Sequence, residues 1–311
     1  MNAFVSILVP VYNREHIIAE TIVSALAQTY TNIEVVVVDN ASTDKTWDVI
    51  QSFVEKDNRV KAFRNQTNLG PVRNWRRCVE EASGDYGKIL WSDDLISPDF
   101  LEKTLPLFSD DVGFIFTKTE IFVDGKDEKE DCYTTIGGTG IYDCNKYVNG
   151  VLFEGGYPVS PGCALFRLND LKKNLLVDIP NKVNSDFSIH AIGNDLLIFL
   201  LTANQYKNFA FVNDKLSYFR AHEGSISVQS NDGKLPLHYN LAAAFFIENF
   251  RPDLLERFNS KIWMVIMRYR NSAKKFNLNI IGNYYLNNLH YSLDYPYIAN
   301  KVFKKVVKTL F

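Results

Sequence analysis

Val5-Ser6-Ile7-Leu8-Val9-Pro10 and, further on, Val35-Val36-Val37-Val38-Asp39 are the two runs on which the fold turns. Both are short, β-branched and almost continuously apolar. A strand with one wet face would alternate, so these predict strands buried on both faces, as in a parallel sheet. Ile17, Ile18, Ile22 and Leu26 lie between them at helical spacing, which predicts a helix over about 15–28. After Asp39, Ser42 or Thr43 can cap a helix reaching about residue 54. Residues 60–63 read as a third strand. A helix over about 72–82 carries Trp75 and Val79, and Gly84-Asp85 turns into a fourth strand over 86–91. Pro98 opens another helix, and 112–117 form a further strand. Strand and helix thus alternate through the first 120 or so residues, predicting an α/β fold with an open, mostly parallel sheet flanked by helices. Residues 120–160 read as loops and short strands, and from about residue 235 the pattern is helical.

The 311 residues suit one large α/β unit with an appendage. Apolar residues make up 46% and charged residues 23%, which excludes global disorder and coiled-coil or collagen-like architectures. A net charge of −2 gives no reason to expect a nucleic-acid partner. Cys78, Cys132, Cys144 and Cys163 show no paired CxxC spacing, so neither a disulfide framework nor structural zinc is expected. With no secretory signal and no apolar run long enough to span a bilayer, a cytoplasmic location is expected.

In parallel sheets, ligands sit beyond the carboxyl ends of the strands. Pro10-Val11-Tyr12-Asn13, Asp39-Asn40-Ala41-Ser42 and Ser92-Asp93-Asp94 occupy those ends. The first turn lacks GxGxxG and the chain lacks GxxxxGK[ST], which disfavours dinucleotide and P-loop chemistry. Asp39 can accept from a pyrimidine N–H or a ribose hydroxyl, or simply cap the following helix. Asp93 and Asp94 repel each other unless a cation intervenes; a hard divalent ion would relieve the repulsion and bind diphosphate oxygens, and a solvated turn is the alternative.

The runs V-S-I-L-V-P-V-Y-N at 5–13, V-V-V-V-D-N-A-S-T-D-K-T at 35–46, N-L-G at 68–70, R-N-W-R-R-C-V-E-E-A-S-G-D-Y at 73–86 and S-D-D at 92–94 together resemble the family 2 inverting glycosyltransferases of the GT-A fold, of the bacterial surface-polysaccharide type. The resemblance is dense over about 4–120 and sparser to about 228. It implies a catalytic domain over 1–230, with a nucleotide-binding half to about 120 and an acceptor half over 121–230, followed by a helical region over 231–311. It further implies that Pro10, Tyr12, Asn13, Asp39, Arg73 and Asp93 hold the nucleotide of a nucleoside-diphosphate sugar, UDP foremost. Asp94 would ligate Mn2+ or Mg2+. Trp91 stands where many members carry a first aspartate, which leaves open which carboxylate meets the ribose.

The same resemblance makes Asp195, in Gly193-Asn194-Asp195-Leu196-Leu197, the general base that deprotonates an acceptor hydroxyl; at a helix N-terminus its charge is favoured. Asp186 is its competitor. In Tyr218-Phe219-Arg220-Ala221-His222-Glu223-Gly224-Ser225-Ile226-Ser227, His222 would reach the metal or the diphosphate and Arg220 the phosphate. Gly162, on the acceptor side, would clear backbone for a sugar, and Cys163 would pack. The implied activity is single-displacement transfer of a hexosyl or N-acetylhexosaminyl group to a glycan or lipid-linked glycan in capsule, O-antigen or similar assembly. A sugar-nucleotide or glycan-binding module without catalysis is the alternative. A dehalogenase-type phosphatase would need D-x-D-x-T at Asp39, where the chain has Asp39-Asn40-Ala41-Ser42-Thr43.

Near the C-terminus, Lys301, Lys304, Lys305 and Lys308 share one arc of a helix, with Val302, Phe303, Val306, Val307, Leu310 and Phe311 opposite. Such a basic amphipathic helix suits an anionic membrane surface, here the inner face of the cell membrane; a helix docked on the domain is the alternative. The oligomeric state, a homo-oligomer among the options, is left open.

Overall fold

The computed structural model describes residues 3–222, 233–287 and 291–310, the side chains of 308–310 excepted. The first elements alternate: β1 (Val5–Val11), α1 (Ile18–Leu26), β2 (Ile33–Asp39), α2 (Thr46–Val54), β3 (Val60–Arg64), α3 (Pro71–Glu81) and β4 (Tyr86–Ile89). Then come β5 (Leu95–Ile96), α4 (Phe100–Thr104), β6 (Val112–Phe122), β7 (Lys129–Cys132), β8 (Gly140–Asp143), α5 (Cys144–Asn149), β9 (Ala164–Arg167), α6 (Leu168–Asn174), α7 (Phe187–His190), α8 (Asn194–Ala203) and β10 (Asn208–Arg220). Four helices follow: α9 (Lys234–Phe250), α10 (Leu255–Arg268), α11 (Arg270–Lys275) and α12 (Tyr295–Leu310). Among the described residues no helix is long and apolar enough to cross a membrane.

One sheet carries the order β3-β2-β1-β4-β9-β6-β10-β5, with β7 on β6 and β8 on β10. β3, β2, β1 and β4 are parallel. Beyond β4 the sheet turns mixed: β9 runs antiparallel to both β4 and β6, and β10 is parallel to β6 but antiparallel to β5. The apolar runs explain the layering. Alternate residues of a strand face opposite sides, so Val35 and Val37 join Val9, Ile22 and Ile50 in one core, while Val36 and Val38 join Leu8, Val72 and Val79 in the other.

Several boundaries differ from the sequence expectation (β4 stops at Ile89, not 91), two of them for local reasons. β6 runs on to Phe122 because its polar residues find partners: Thr117 Oγ1 lies 3.0 Å from Ser217 Oγ, and Glu120 pairs with Lys129 at 2.7 Å. α1 starts at Ile18, not near 15, because Arg14 and Glu15 are tied to the loop after β2. The Arg14 N–H donates to Thr46 Oγ1 (2.7 Å) and the Glu15 N–H to Asp44 Oδ2 (3.2 Å).

Candidate functional site

Beyond the carboxyl ends of β1 and β4 lies a cavity of about 540 Å3. Pro10, Tyr12, Arg14 and Asn74 line one side, Ser92, Asp93, Asp94 and Arg220 another, and Ala191, Ile192, Asp195, Leu235 and Tyr239 the side opposite the parallel strands' loops. Trp75, Trp91 and Phe219 contribute aromatic surface between them.

The acidic corner is assembled by strand pairing. β5 lies antiparallel to β10 with Leu95 opposite Tyr218, so the residues before β5 meet those at the end of β10. The Arg220 N–H donates to Asp94 Oδ1 (2.9 Å), and its Nε donates to the Asp93 carbonyl (3.0 Å). The rest of its guanidinium is taken by Glu20 (2.5 Å) and Asp124. Arg220, expected on a diphosphate, is therefore spent holding the corner together. His222 Nε2 lies 2.9 Å from Asp93 Oδ2, so the imidazole meets Asp93, not Asp94 as expected for a shared metal site. Arg14, unnoticed in the sequence, approaches the same Asp93 oxygen (3.7 Å), and its own Nε is buried without a hydrogen-bond partner. The rest of the expected segment, Glu223 to Ser227, lies outside the described residues.

Asp94 is only 5% exposed. Burial first, then the neighbouring charge of Asp93, drives its carboxyl well above the usual carboxylate range. That is the condition a divalent cation relieves, and carboxylate oxygens with an imidazole beside them fit Mn2+ or Mg2+ chemically. Among the described residues no three His, Cys, Asp or Glu side chains converge as a ready ligand set.

The expected nucleotide residues divide. Pro10, Tyr12 and Asp93 face the cavity. Asn13, at φ 51°, stitches two loops: its N–H donates to Ser42 Oγ (2.9 Å), and its Oδ1 accepts from the Thr43 N–H (2.9 Å). Asp39 is wholly buried, accepting from the Ser42 N–H (3.1 Å), the Ser42 hydroxyl and Arg64 Nε (3.0 Å), and it does not line the cavity. Arg73 is not brought in either. It is exposed on α3 and faces Asp178 at 3.5 Å, whereas Asn74, one residue and about 100° further round the helix, turns inward and is 3% exposed.

Asp195 sits in the first turn of α8, buried in the cavity wall with one edge facing the cavity. Its Oδ1 accepts from the N–H of Gly193 (3.1 Å) and of Leu196 (2.8 Å), and its Oδ2 from the Tyr239 hydroxyl (2.7 Å). Burial pushes its carboxyl up to about 6, and those hydrogen bonds pull the other way. Asp186 instead is exposed and caps α7, accepting from Ser188 N–H at 3.0 Å. Tyr239 escaped the sequence reading because it lies on α9, beyond residue 230, where the catalytic part was expected to end. Its neighbour Leu235 lines the cavity too, so the site draws on both sides of that boundary.

Trp91 replaces an expected aspartate with a wall. Its ring centroid is 4.7 Å from that of Trp75, and its Nε1 donates to Ser160 Oγ (2.8 Å). Gly162 makes this possible: a Cβ there would lie 2.9 Å from the Trp91 ring and 3.1 Å from Phe219. The clearance expected for a sugar is thus clearance for an indole. Cys163 is buried, with its thiol pushed up to about 12 by burial, consistent with packing.

The family model for glycosyl transferase family 2 matches residues 6–175. An uncharacterized glycosyltransferase of Haemophilus influenzae is 46% identical over 32% of this chain and 40% of its own length. Glycosyltransferase GlyG of Streptococcus pneumoniae is 32% identical over 33% of this chain and 34% of its own length. The chain thus spans well under half the length of these curated relatives. Among solved structures, S. aureus TarS 1–349 in complex with UDP-GlcNAc superposes with a TM-score of 0.65 at 20% identity, covering 87% of this chain and 74% of that one. The mannosyltransferase PcManGT of Pyrobaculum calidifontis, in complex with GDP-Man and Mn2+, gives 0.54 at 16% identity, covering 99% and 81%. At these identities the two likenesses establish a common fold.

Proposed function

We propose, from the premise that this chain belongs to glycosyl transferase family 2, that it is an inverting, metal-dependent glycosyltransferase acting on a nucleoside-diphosphate sugar. The single observation that carries this reading is one cavity bounded on one side by Asp93 and the buried Asp94, and on another by the buried Asp195, which has no ion pair among the described residues. UDP is the nucleotide we favour, in line with the UDP-GlcNAc bound by TarS. The acceptor is a hydroxyl of a glycan or lipid-linked glycan in surface-polysaccharide assembly.

In this reading the acceptor oxygen attacks the anomeric carbon from the face opposite the diphosphate. Its proton passes to Asp195 Oδ2, and the bond from the anomeric carbon to the diphosphate oxygen breaks with its electron pair leaving on the diphosphate. A carboxyl that titrates near 6 is charged at neutral pH and is a stronger base than an ordinary carboxylate. Arg14 gives the cavity a cation on the donor side. Asp94, with Asp93 and His222 beside it, would hold Mn2+ or Mg2+, which when bound neutralises charge at the diphosphate; an imidazole in the set favours Mn2+. The test is UDP release from a panel of UDP-sugars with Mn2+. Loss of turnover in Asp195→Asn with donor binding retained supports the enzyme; binding with no turnover by the parent chain supports a silent module.

The location we propose is the cytoplasmic leaflet, through α12. The first half of this helix docks: Tyr297 packs on Phe153 at 5.9 Å between ring centroids, and Lys301 Nζ donates to the Phe153 carbonyl (2.5 Å). In its second half Val302, Phe303, Val306 and Val307 are exposed, Phe303 by 68%. Lys304 and Lys305 flank them and are exposed as well. Apolar residues edged by lysines match an anionic lipid surface. Affinity for phosphatidylglycerol vesicles, read by flotation, should fall by at least about a hundredfold in Phe303→Asp/Val306→Asp, since each buried side chain is worth on the order of 1.5–3 kcal/mol. Equal flotation of the double variant would overturn this.

A further inference from the structure

We infer that Tyr239 is a positioning residue for the base: its hydroxyl, brought by α9, fixes the Asp195 carboxylate and holds it charged. The inference rests on the reading of Asp195 as base given above. Each carboxylate oxygen offers two lone-pair positions. Oδ1 spends both on the N–H groups of Gly193 and Leu196. Oδ2 spends one on Tyr239, 2.7 Å away, which leaves one position for the acceptor's proton. Three donors on two oxygens fix the plane of the group, so the remaining lone pair has one direction.

The contact is built into the backbone. Gly193, with φ +117°, is where the loop before α8 presses against α9; a Cβ there would lie 2.4 Å from Ala242 Cβ. Loop and helix therefore approach closely one helical turn from Tyr239, and the hydroxyl's position is set by that packing. The phenol is also in the right protonation state. Burial, and then the charge of Asp195, drive it well above its usual range, so it donates its proton to a hydrogen bond and does not lose it.

The other groups facing Asp195 are neutral phenols or lie behind the loop. Tyr133 and Tyr147 are held protonated by burial. His238, beside Tyr239 on α9, packs on His190 with ring centroids 4.8 Å apart, and burial pushes His190 down to about 3, leaving it uncharged. Across the cavity stand Asp93, Asp94 and Arg14. Tyr239 is thus the side chain that directly opposes the burial of the base.

The experiment uses the full chain with 13C-carboxyl-labelled aspartate, the Asp195 resonance being assigned by its loss in Asp195→Asn. In the parent it should titrate near 6. In Tyr239→Phe, which keeps the ring and should keep the melting temperature, the midpoint should rise by about one pH unit. With UDP-sugars and Mn2+, the acidic limb of the rate should move by the same amount. The rate at pH 6.5 would then fall about threefold, recovering by pH 8.5, with the donor's KM unchanged. A midpoint that does not move overturns the role of Tyr239. Parent-like turnover in Asp195→Asn would instead overturn the base itself, whatever Tyr239→Phe does.

Discussion

The wall made by the parallel strands and the wall made around α8 both bury a carboxylate, and they treat it differently. Asp39 closes β2 with a guanidinium 3.0 Å away and Ser42 on its other oxygen. Asp195 opens α8 with two backbone N–H groups and a phenol, and among the described residues it has no ion pair. The first arrangement is complete, and its neighbours Asn40, Asn65 and Asn74 extend it as a hydrogen-bonded chain. The second leaves a carboxylate poised to gain a proton. Burial alone does not mark a reactive group; burial without a compensating cation does.

The largest test of this contrast replaces each acid by its amide. Asp195→Asn should cut turnover by about 10^3 while raising stability. The sign follows from its raised folded-state value of about 6. The native state holds a proton that the unfolded chain releases, so this group's stabilisation is fully present below about pH 4 and is lost as pH rises through 6. The variant should therefore melt higher than the parent at pH 8, by on the order of 1–3 kcal/mol, and equally at pH 4. Asp39→Asn should do the reverse at pH 8, costing about 1–3 kcal/mol as Arg64 and Ser42 lose a charged partner. Thermal melts at both pH values check the pair.

Gly162→Ala probes the aromatic surface between the walls. The added Cβ must displace the Trp91 indole, and an overpacking cost of about 1–3 kcal/mol is expected in the melt. If the indole lines the donor's path, isothermal titration should show about tenfold weaker donor binding. A smaller effect separates adjacent residues of α3. Asn74→Ala removes a donor to the Val38 carbonyl (3.1 Å) and an acceptor for Asn65, and should cost about 1–3 kcal/mol. Arg73→Ala, on an exposed pair, should stay within about 0.5 kcal/mol and leave turnover unchanged. A large loss on Arg73→Ala would place the donor elsewhere.

The parallel half was legible because its signals are local. Unbroken valine runs require burial on both faces, and Ser42, Asp93 and Asp94 follow strand ends directly. The place of Asp195 in the first turn of a helix was legible for the same reason: a glycine and a polar pair open an apolar helix. What stayed hidden depends on contacts between distant segments. Arg73 and Asn74 differ by one helical step, and only the packing of α3 decides which turns inward. Trp91, just after β4, meets Trp75 of α3 only through tertiary packing, and Arg220 was consumed by Glu20 and Asp124, which nothing near it in sequence announces. Tyr239 lies on a helix whose apolar face, Leu237, Leu241 and Ala244, predicts burial but not what it covers.

The antiparallel pairing of β5 with β10 also sets an order of events during synthesis. The Arg220 to Asp94 hydrogen bond joins residues separated by 126 positions, and Tyr239 reaches Asp195 later still. A nascent chain can pair β1 with β2 and β2 with β3 early, since those strands lie within about 30 residues of each other, whereas the acidic corner must wait for translation to deliver the end of β10. Contacts of such long range form slowly, so a ribosome stalled short of residue 220 would hold the parallel strands without the Arg220 contacts that assemble the acidic corner.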